Sequence, residues 1–597
     1  MSVPSRRIIL LLLVAAGVYL AGNAQVSLWD RDEPRYAQCS RQMLQGNDWV
    51  VPRLYDDLRT AKPPLIYWCQ AAAMRLFGRE GGAGAFSARL PSSLAVLSTL
   101  ALLAIVVTRR AGADQAFWTV LVLAGSGLTI MAAKICTTDG VLLLFTTIAQ
   151  LCLFALWRGN RSWGIVLLMA VALGLGGLTK GPFILGVVAC TAVALGAFRL
   201  AGKEIERRKV IRKARGLEPV LLPAHGASSP AGHVPGEGRE NLASDETSGV
   251  NANRAPLSPG RVVAQVLVGI AIIAAIVVPW LYLVQHREPE FLGRMFHEAK
   301  GHLEEGREGH HFPPGYHLVV VWGTFMPWSL LLPMAIGIGI RNRKIPEVRF
   351  ALAATVGPWL MVEFLGTKLP HYLLPAFPAM AFLTAWAIRD CINRTARDME
   401  SRLFRVGTGI WAAIVACVGL VPWLAARTFS PQPWGVMVLL TIATLALAAT
   451  VFSFFHARKV VAGAAAMGLG MLVLTFLAYA VFLPSASYMR VSMRVANDLI
   501  KAGATHKGDV YMVDYKEPSL GFYQDGTIRE RKREFLSPRH RDEWPQWLAV
   551  TAEAWNEAAP DVRRAYYEIA REKGWAYSDS NRVVEVIVVE KGSGRGG

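Results

Sequence analysis

The chain has 597 residues, 53% of them hydrophobic and only 18% charged, with a mean hydropathy of +0.33 and a formal net charge of +19. Ordinary soluble domains do not combine these values. The basic residues lie in short clusters beside apolar blocks, which argues against a nucleic-acid surface and makes them topology signals. The seven cysteines are scattered without paired spacing, so neither a disulfide framework nor a cysteine metal knuckle is indicated.

Arg6 and Arg7 precede an apolar run from Ile8 to Leu20 that lacks an Ala-x-Ala site after it, the pattern of an uncleaved first helix. Apolar blocks of roughly 18 residues or more then recur, each long enough to cross a hydrocarbon core as a helix. They predict about thirteen spans, near 8–24, 88–108, 115–133, 139–157, 163–178, 181–199, 262–285, 316–339, 348–366, 370–388, 406–425, 434–454 and 460–483. With the N-terminus in the cytoplasm, the basic loops at 109–110, 158–161, 203–215, 341–344, 389–405 and 456–459 all fall inside. The loops holding Asp32, Glu33, Asp139 and the acidic stretch from Glu288 to Glu308 fall outside, as does everything after the last span.

Two segments depart from short connections. Residues 200–260 open with a basic run and become rich in Gly, Ser, Pro and Asn, which reads as a disordered cytoplasmic loop anchored near anionic lipid. Residues 485–597 follow the membrane part, 1–484, as a small extracytoplasmic α/β domain. Strands are predicted at 510–513 and 583–589 and a helix over 561–573.

The first external loop, 25–87, carries the chemistry. Pro34 suits the first turn of a helix, Asp32 sits near its N-cap, and Gly46 is placed to stop it. Arg35 and Tyr36 then share a face with Asp32. A second helix starts after Lys62 at Pro63 and Pro64, and its apolar residues suit the membrane interface. A carboxylate able to take a proton, beside a planar fork at Arg35 and a point charge at Lys62, fits transfer from a lipid phosphate. The plainer alternative is that Asp32 and Glu33 cap a helix while Arg35 and Lys62 reach lipid headgroups.

The runs 32–37 (DEPRYA), 48–52 (DWVVP), 62–68 (KPPLIYW), 89–92 (RLPS), 179–182 (TKGP), 327–328 (PW) and 368–375 (KLPHYLLP) occur in that order. Together they resemble the multi-spanning, type C glycosyltransferases that use polyprenyl-phosphate sugars, a family that includes the lipid A aminoarabinose transferases and protein mannosyltransferases. The resemblance covers about residues 28–380, and the aminoarabinose transferase branch is nearest in layout.

It implies an all-α polytopic membrane protein with an external active site, in a bacterial-type inner membrane. The implied activity is inverting hexosyl or pentosyl transfer from a polyprenyl-phosphate donor to a glycolipid such as lipid A, another glycan or a protein. Asp32 is the implied base, with Glu33 beside it, and Arg35 and Lys62 hold the donor phosphate. Tyr36, Asp139, Lys180, His310, His311, Lys368, His371 and Tyr372 follow as substrate-binding candidates. The aminoarabinose branch has an acidic residue before Lys-Pro-Pro that contributes to a divalent metal near the phosphate. Here that position is Ala61, so no cofactor is assigned and the metal is an open expectation. A monomer among membrane lipids, without nucleic acid, completes the reading. The competing class is a polyprenyl-linked sugar transporter or flippase, which would place its critical charges near the bilayer midplane.

Overall fold

The structure, a computed structural model, describes residues 3–29, 31–214, 258–304, 312–393, 402–426, 433–578 and 582–592. Backbone polar groups cannot be left bare in hydrocarbon, so long apolar blocks close their hydrogen bonds internally as helices. In chain order these begin with α1 (Val3–Leu20), followed by α2 (Glu33–Gln45), the two-stranded hairpin β1 (Arg53–Leu54) and β2 (Asp57–Leu58), and α3 (Leu65–Phe77). Then come α4 (Gly81–Ala111), α5 (Ala113–Ala124), α6 (Gly127–Lys134), α7 (Asp139–Trp157), α8 (Trp163–Lys180) and α9 (Phe183–Ala214). The described chain resumes with α10 (Pro259–Arg287), α11 (Phe291–Glu304), α12 (Tyr316–Thr324), α13 (Leu332–Arg341), α14 (Pro346–Glu363) and α15 (Phe377–Asn393). The membrane part closes with α16 (Arg402–Val418), α17 (Val421–Ala426), α18 (Trp434–His456) and α19 (Val460–Phe476).

Among the described residues, nine helices are long and apolar enough to cross a membrane, or ten if α5 and α6 form one span bent by 67°. The chain is thus a multi-pass membrane protein. The other apolar blocks are α1, a segment broken by the 3-10 turn Trp328–Leu331 between α12 and α13, and α14, which carries Glu347, Arg349 and Glu363. Side-chain exposure follows position in the bundle. The largest buried cluster draws Leu121, Phe325, Trp328, Phe377 and Leu383 from its centre. On peripheral α10, Val263, Val266, Leu267 and Ile270 point outward, as lipid-facing residues should.

The loop that follows α1 is built as its residues dictate. Asp32 is the N-cap of α2, Pro34 lies in the first turn, and Gly46 ends the helix with its N–H bonded to Gln42 O. The hairpin between α2 and α3 has no counterpart in the expectations. It is fastened by Gln42, whose amide donates to Tyr55 O at 2.8 Å and accepts from Tyr55 N at 2.8 Å.

After the bundle, α20 (Val491–Lys501), β3 (Val510–Val513), α21 (Pro518–Tyr523), β4 (Arg529–Arg531), β5 (Trp547–Thr551), α22 (Ala552–Glu557), α23 (Pro560–Ala565), β6 (Tyr566–Ala576) and β7 (Arg582–Lys591) form an α/β unit. Its five-stranded sheet has the order β4-β3-β5-β7-β6, with β3 parallel to both neighbours and the β5–β7–β6 side antiparallel. The helix expected over 561–573 is corrected. Only its first turns are helical, in α23, and Tyr566 onward pairs with β7 along the strand. Ladder pairing over a partly buried surface overrides the local helix propensity of the Glu, Arg and Lys residues there. The greater part of the 200–260 loop, from 215 to 257, lies outside the described residues, and α9 runs on through the basic residues that open it.

Candidate active site

The ends of α2, α6, α7 and α8, the 59–62 loop, α11 and the turn before α15 enclose a cavity of about 460 Å³. Its lining includes Arg31, Asp32, Arg35, Tyr36, Arg59, Lys62, Asp139, Lys180, Glu298, His371 and Tyr372. Asp32 presents a half-exposed carboxylate there, with Arg35 Nη1 at 3.4 Å and Arg59 Nη2 at 3.9 Å from Oδ1. Lys62 approaches along the same wall, with Nζ donating to Ala61 O at 2.9 Å. Burial, then the neighbouring charges of Lys180 and Arg59, lowers its pKa to about 8. Tyr36 forms part of the floor, stacked on Tyr67 with ring centroids 5.6 Å apart. Burial raises the Tyr36 phenol well above its ordinary range and keeps it neutral.

The lining carries a second charge pair. Asp139 opens α7, accepting from Lys180 Nζ at 2.8 Å and from Thr137 Oγ1 at 3.1 Å. Gly140 lets that helix start lie close to α4 and α6, because a Cβ there would meet Ala132 O at 2.8 Å and Ser92 O at 3.0 Å. The Lys180 ammonium also sits 4.9 Å from the Tyr372 ring centre, and Tyr372 meets His371 edge to face.

Glu33 has a different place from that expected. It does not line the cavity and is fully buried, its carboxylate held by Arg89 through Nε to Oε1 at 2.9 Å and Nη2 to Oε2 at 2.7 Å. Arg89 also donates to the carbonyls of Asn23, Val26 and Ser27, so its fork ties the chain leading into α2 to the membrane bundle. The C-terminal unit grips that chain from the other side, with Leu28 N donating to Tyr523 Oη at 2.9 Å and Tyr577 Oη donating to Leu28 O at 2.7 Å. Glu33 is thus buried on Arg89, next to Asp32 in the chain but outside the cavity lining where the catalytic expectation placed it.

Of the remaining expected residues, Lys368 is buried with Nζ on Leu365 O at 2.7 Å and is not part of the lining, although Thr367 and Leu369 on either side are. His310 and His311 lie outside the described residues. Three charged lining residues were not anticipated, Arg31, Glu298 and Arg59. Glu298 comes from α11 and accepts from Thr60 Oγ1 at 3.0 Å. Arg59 follows the hairpin, where Arg59 N donates to Pro52 O at 2.9 Å and so fixes the direction of the side chain. Its Nε is buried without a hydrogen-bond partner among the described residues. A signal for it was present, a third cation three residues before Lys62, but reading it required the hairpin.

A divalent metal near the phosphate would need several converging side-chain ligands. Among the described residues, no three His, Cys, Asp or Glu side chains converge on one point, and Ala61 offers no ligand. The charges acting on Lys62 are mixed, the cations Lys180 and Arg59 and the carboxylates Asp32 and Glu298.

A family profile described as dolichyl-phosphate-mannose-protein mannosyltransferase matches residues 61–210. Undecaprenyl phosphate-alpha-4-amino-4-deoxy-L-arabinose arabinosyl transferases from Yersinia enterocolitica and Serratia proteamaculans are each 26% identical to the chain, covering 73% of it and 69% of their own length. The chain is a relative of the polyprenyl-phosphate-dependent membrane glycosyltransferases. Among them it is similar to the aminoarabinose transferases. The fold agrees with the crystal structure of ArnT from Cupriavidus metallidurans bound to undecaprenyl phosphate, with a TM-score of 0.70 at 19% identity and 99% coverage of both chains. The apo form of that protein gives a TM-score of 0.70 at 20% identity and 98% coverage of both.

Proposed function

We propose that this glycosyltransferase moves a sugar, with inversion, from a polyprenyl-phosphate donor to a hydroxyl of an extracytoplasmic acceptor. The activity for which these relatives are named makes a pentose such as 4-amino-4-deoxy-L-arabinose the first donor to try, and the sequence resemblance makes a lipid A-like glycolipid the first acceptor. The observation that carries the reading is the joint presence of Asp32, Arg35, Lys62, Asp139 and Lys180 in one cavity at the ends of membrane helices. In the reaction, the acceptor oxygen forms a bond to the anomeric carbon as the carbon–oxygen bond to phosphate breaks. The bonding pair stays with the phosphate, and Asp32 takes the hydroxyl proton. Arg35 and Lys62 hold the phosphate, while the carboxylates favour the oxocarbenium-like character of the sugar. The topology in this reading has thirteen spans, a cytoplasmic N-terminus and an external C-terminal unit, in the inner membrane.

A transporter is less well supported, because the charged lining gathers at one end of the bundle instead of at its middle. The test is to incubate purified protein with a panel of polyprenyl-phosphate sugars and candidate acceptors and to identify products by mass spectrometry. Sugar appearing on an acceptor supports transfer, and donor movement across vesicles without any product would overturn it.

A further inference from the structure

The charge inventory of the cavity exceeds what holding the donor requires. The described residues lining it include five cationic side chains, Arg31, Arg35, Arg59, Lys62 and Lys180, and three carboxylates, Asp32, Asp139 and Glu298. A polyprenyl-phosphate sugar is a phosphodiester with one negative charge. Its leaving group is a phosphate monoester that gains a second charge when the carbon–oxygen bond breaks. The surplus of two positive charges therefore matches the leaving group better than the donor.

Within the cluster, Lys180 is tightly paired with Asp139 at 2.8 Å, whereas Arg59 reaches Asp32 only at 3.9 Å and Lys62 donates to a backbone carbonyl. Arg59 and Lys62 are three residues apart on one loop, their charges repel, and both are withdrawn from bulk water, with the Arg59 side chain only 19% exposed. Such an arrangement costs free energy without an anion and becomes favourable with one. Arg59 is also held further from Asp32 than Arg35 is, and its Nε hydrogen has no acceptor among the described residues. Its Nη groups, held only loosely by Asp32, are thus the donors that a ligand in the cavity can meet.

We infer that Arg59 is a catalytic residue that binds the departing lipid phosphate more strongly than the intact donor, stabilising the second charge as it develops. This rests on the glycosyl-transfer reading and adds to it a division of labour. Arg35 and Lys62 hold the phosphate throughout, whereas Arg59 makes its strongest contact late in the reaction. An interaction of that kind raises turnover without tightening donor binding.

The full chain in detergent is titrated at pH 7.5 with two lipid probes, undecaprenyl phosphate and its methyl ester. At that pH the monoester is largely a dianion, since its second ionisation lies at about 6, and the methyl diester remains a monoanion. The wild type should prefer the monoester by roughly tenfold or more. In R59Q the monoester should lose roughly tenfold or more while the diester loses less than about threefold, and R59K should keep most of the preference. Equal losses for both probes, no loss for either, or a wild type that does not distinguish them would each overturn the role of Arg59. A wild type that binds neither probe would instead remove the transfer reading beneath it.

Discussion

Arg89 grips both oxygens of Glu33, at 2.9 and 2.7 Å, while Asp32, the preceding residue, turns its carboxylate into the cavity. Adjacent acids thus have opposite duties. One is buried and holds the chain, and the other is half-exposed in the cavity. Substituting Glu33→Ala leaves a buried guanidinium without its counter-ion, a loss of roughly 3–5 kcal/mol. Thermal unfolding of the variant in detergent should show a markedly lower midpoint. A midpoint within about 2 °C of wild type would show that the pair contributes little.

Asp32→Asn removes the proposed proton acceptor and keeps the shape. Turnover should fall by roughly 10²–10⁴-fold while affinity for undecaprenyl phosphate stays within about threefold. Single-turnover transfer and lipid binding, measured on the same preparation, separate the two effects. Near-normal turnover would mean that another group accepts the proton.

Lys62 should impose a pH dependence on phosphate binding. Its pKa is lowered to about 8 by burial and by Lys180 and Arg59, with Asp32 and Glu298 opposing the shift. Below that value it is a cation and above it neutral, so affinity for undecaprenyl phosphate should decline as pH rises through 8 and beyond. A bound phosphate moves the transition upward, because the anion favours the charged lysine. Lys62→Arg keeps its charge throughout the range and should flatten the profile. A wild-type profile that is flat from pH 7 to about 10 would exclude lysine titration from binding.

Asp139 and Lys180 should be far more costly to change singly than together. Asp139→Asn leaves a poorly solvated ammonium, and Lys180→Met leaves a poorly solvated carboxylate, each a loss of roughly 3–5 kcal/mol. The double variant should recover a large part of that stability and none of the activity. Additive losses in thermal midpoint would show that the two groups are not coupled.

Tyr523→Phe and Tyr577→Phe test the grip on Leu28. Each deletes one hydroxyl and leaves a buried backbone group of Leu28 unmatched, with a stability loss of roughly 1–3 kcal/mol. The turnover of the folded enzyme should drop in parallel, since the chain between Leu28 and Asp32 is short. Full turnover in the double variant would show that Arg89 alone suffices to place the aspartate.

Local grammar made much of the first loop readable. Asp32, Pro34 and Gly46 mark a helix start and stop without reference to the rest of the chain, and α2 spans the interval between them. Lys62 and His371 were accessible through runs of residues whose order resembles a family. Arg59 was not, because an arginine in a polar stretch acquires meaning only when Arg53 pairs with Leu58 and turns the chain toward α2. Glu33 and Lys368 illustrate the same limit from the other side. Each sits one position from a lining residue, and the backbone alone decides which of two neighbours faces the cavity. Strand β6 escaped detection because its partner β7 lies beyond the turn, where sequence periodicity carries no record of pairing.

The two tyrosines on Leu28 also constrain how such proteins can be recombined. A chimera that exchanges the segment after residue 485 for that of another relative transplants the hydroxyls that set where α2 begins. Portability of this region should therefore track whether the donor parent supplies phenols at both contact points, more than overall similarity between the parents.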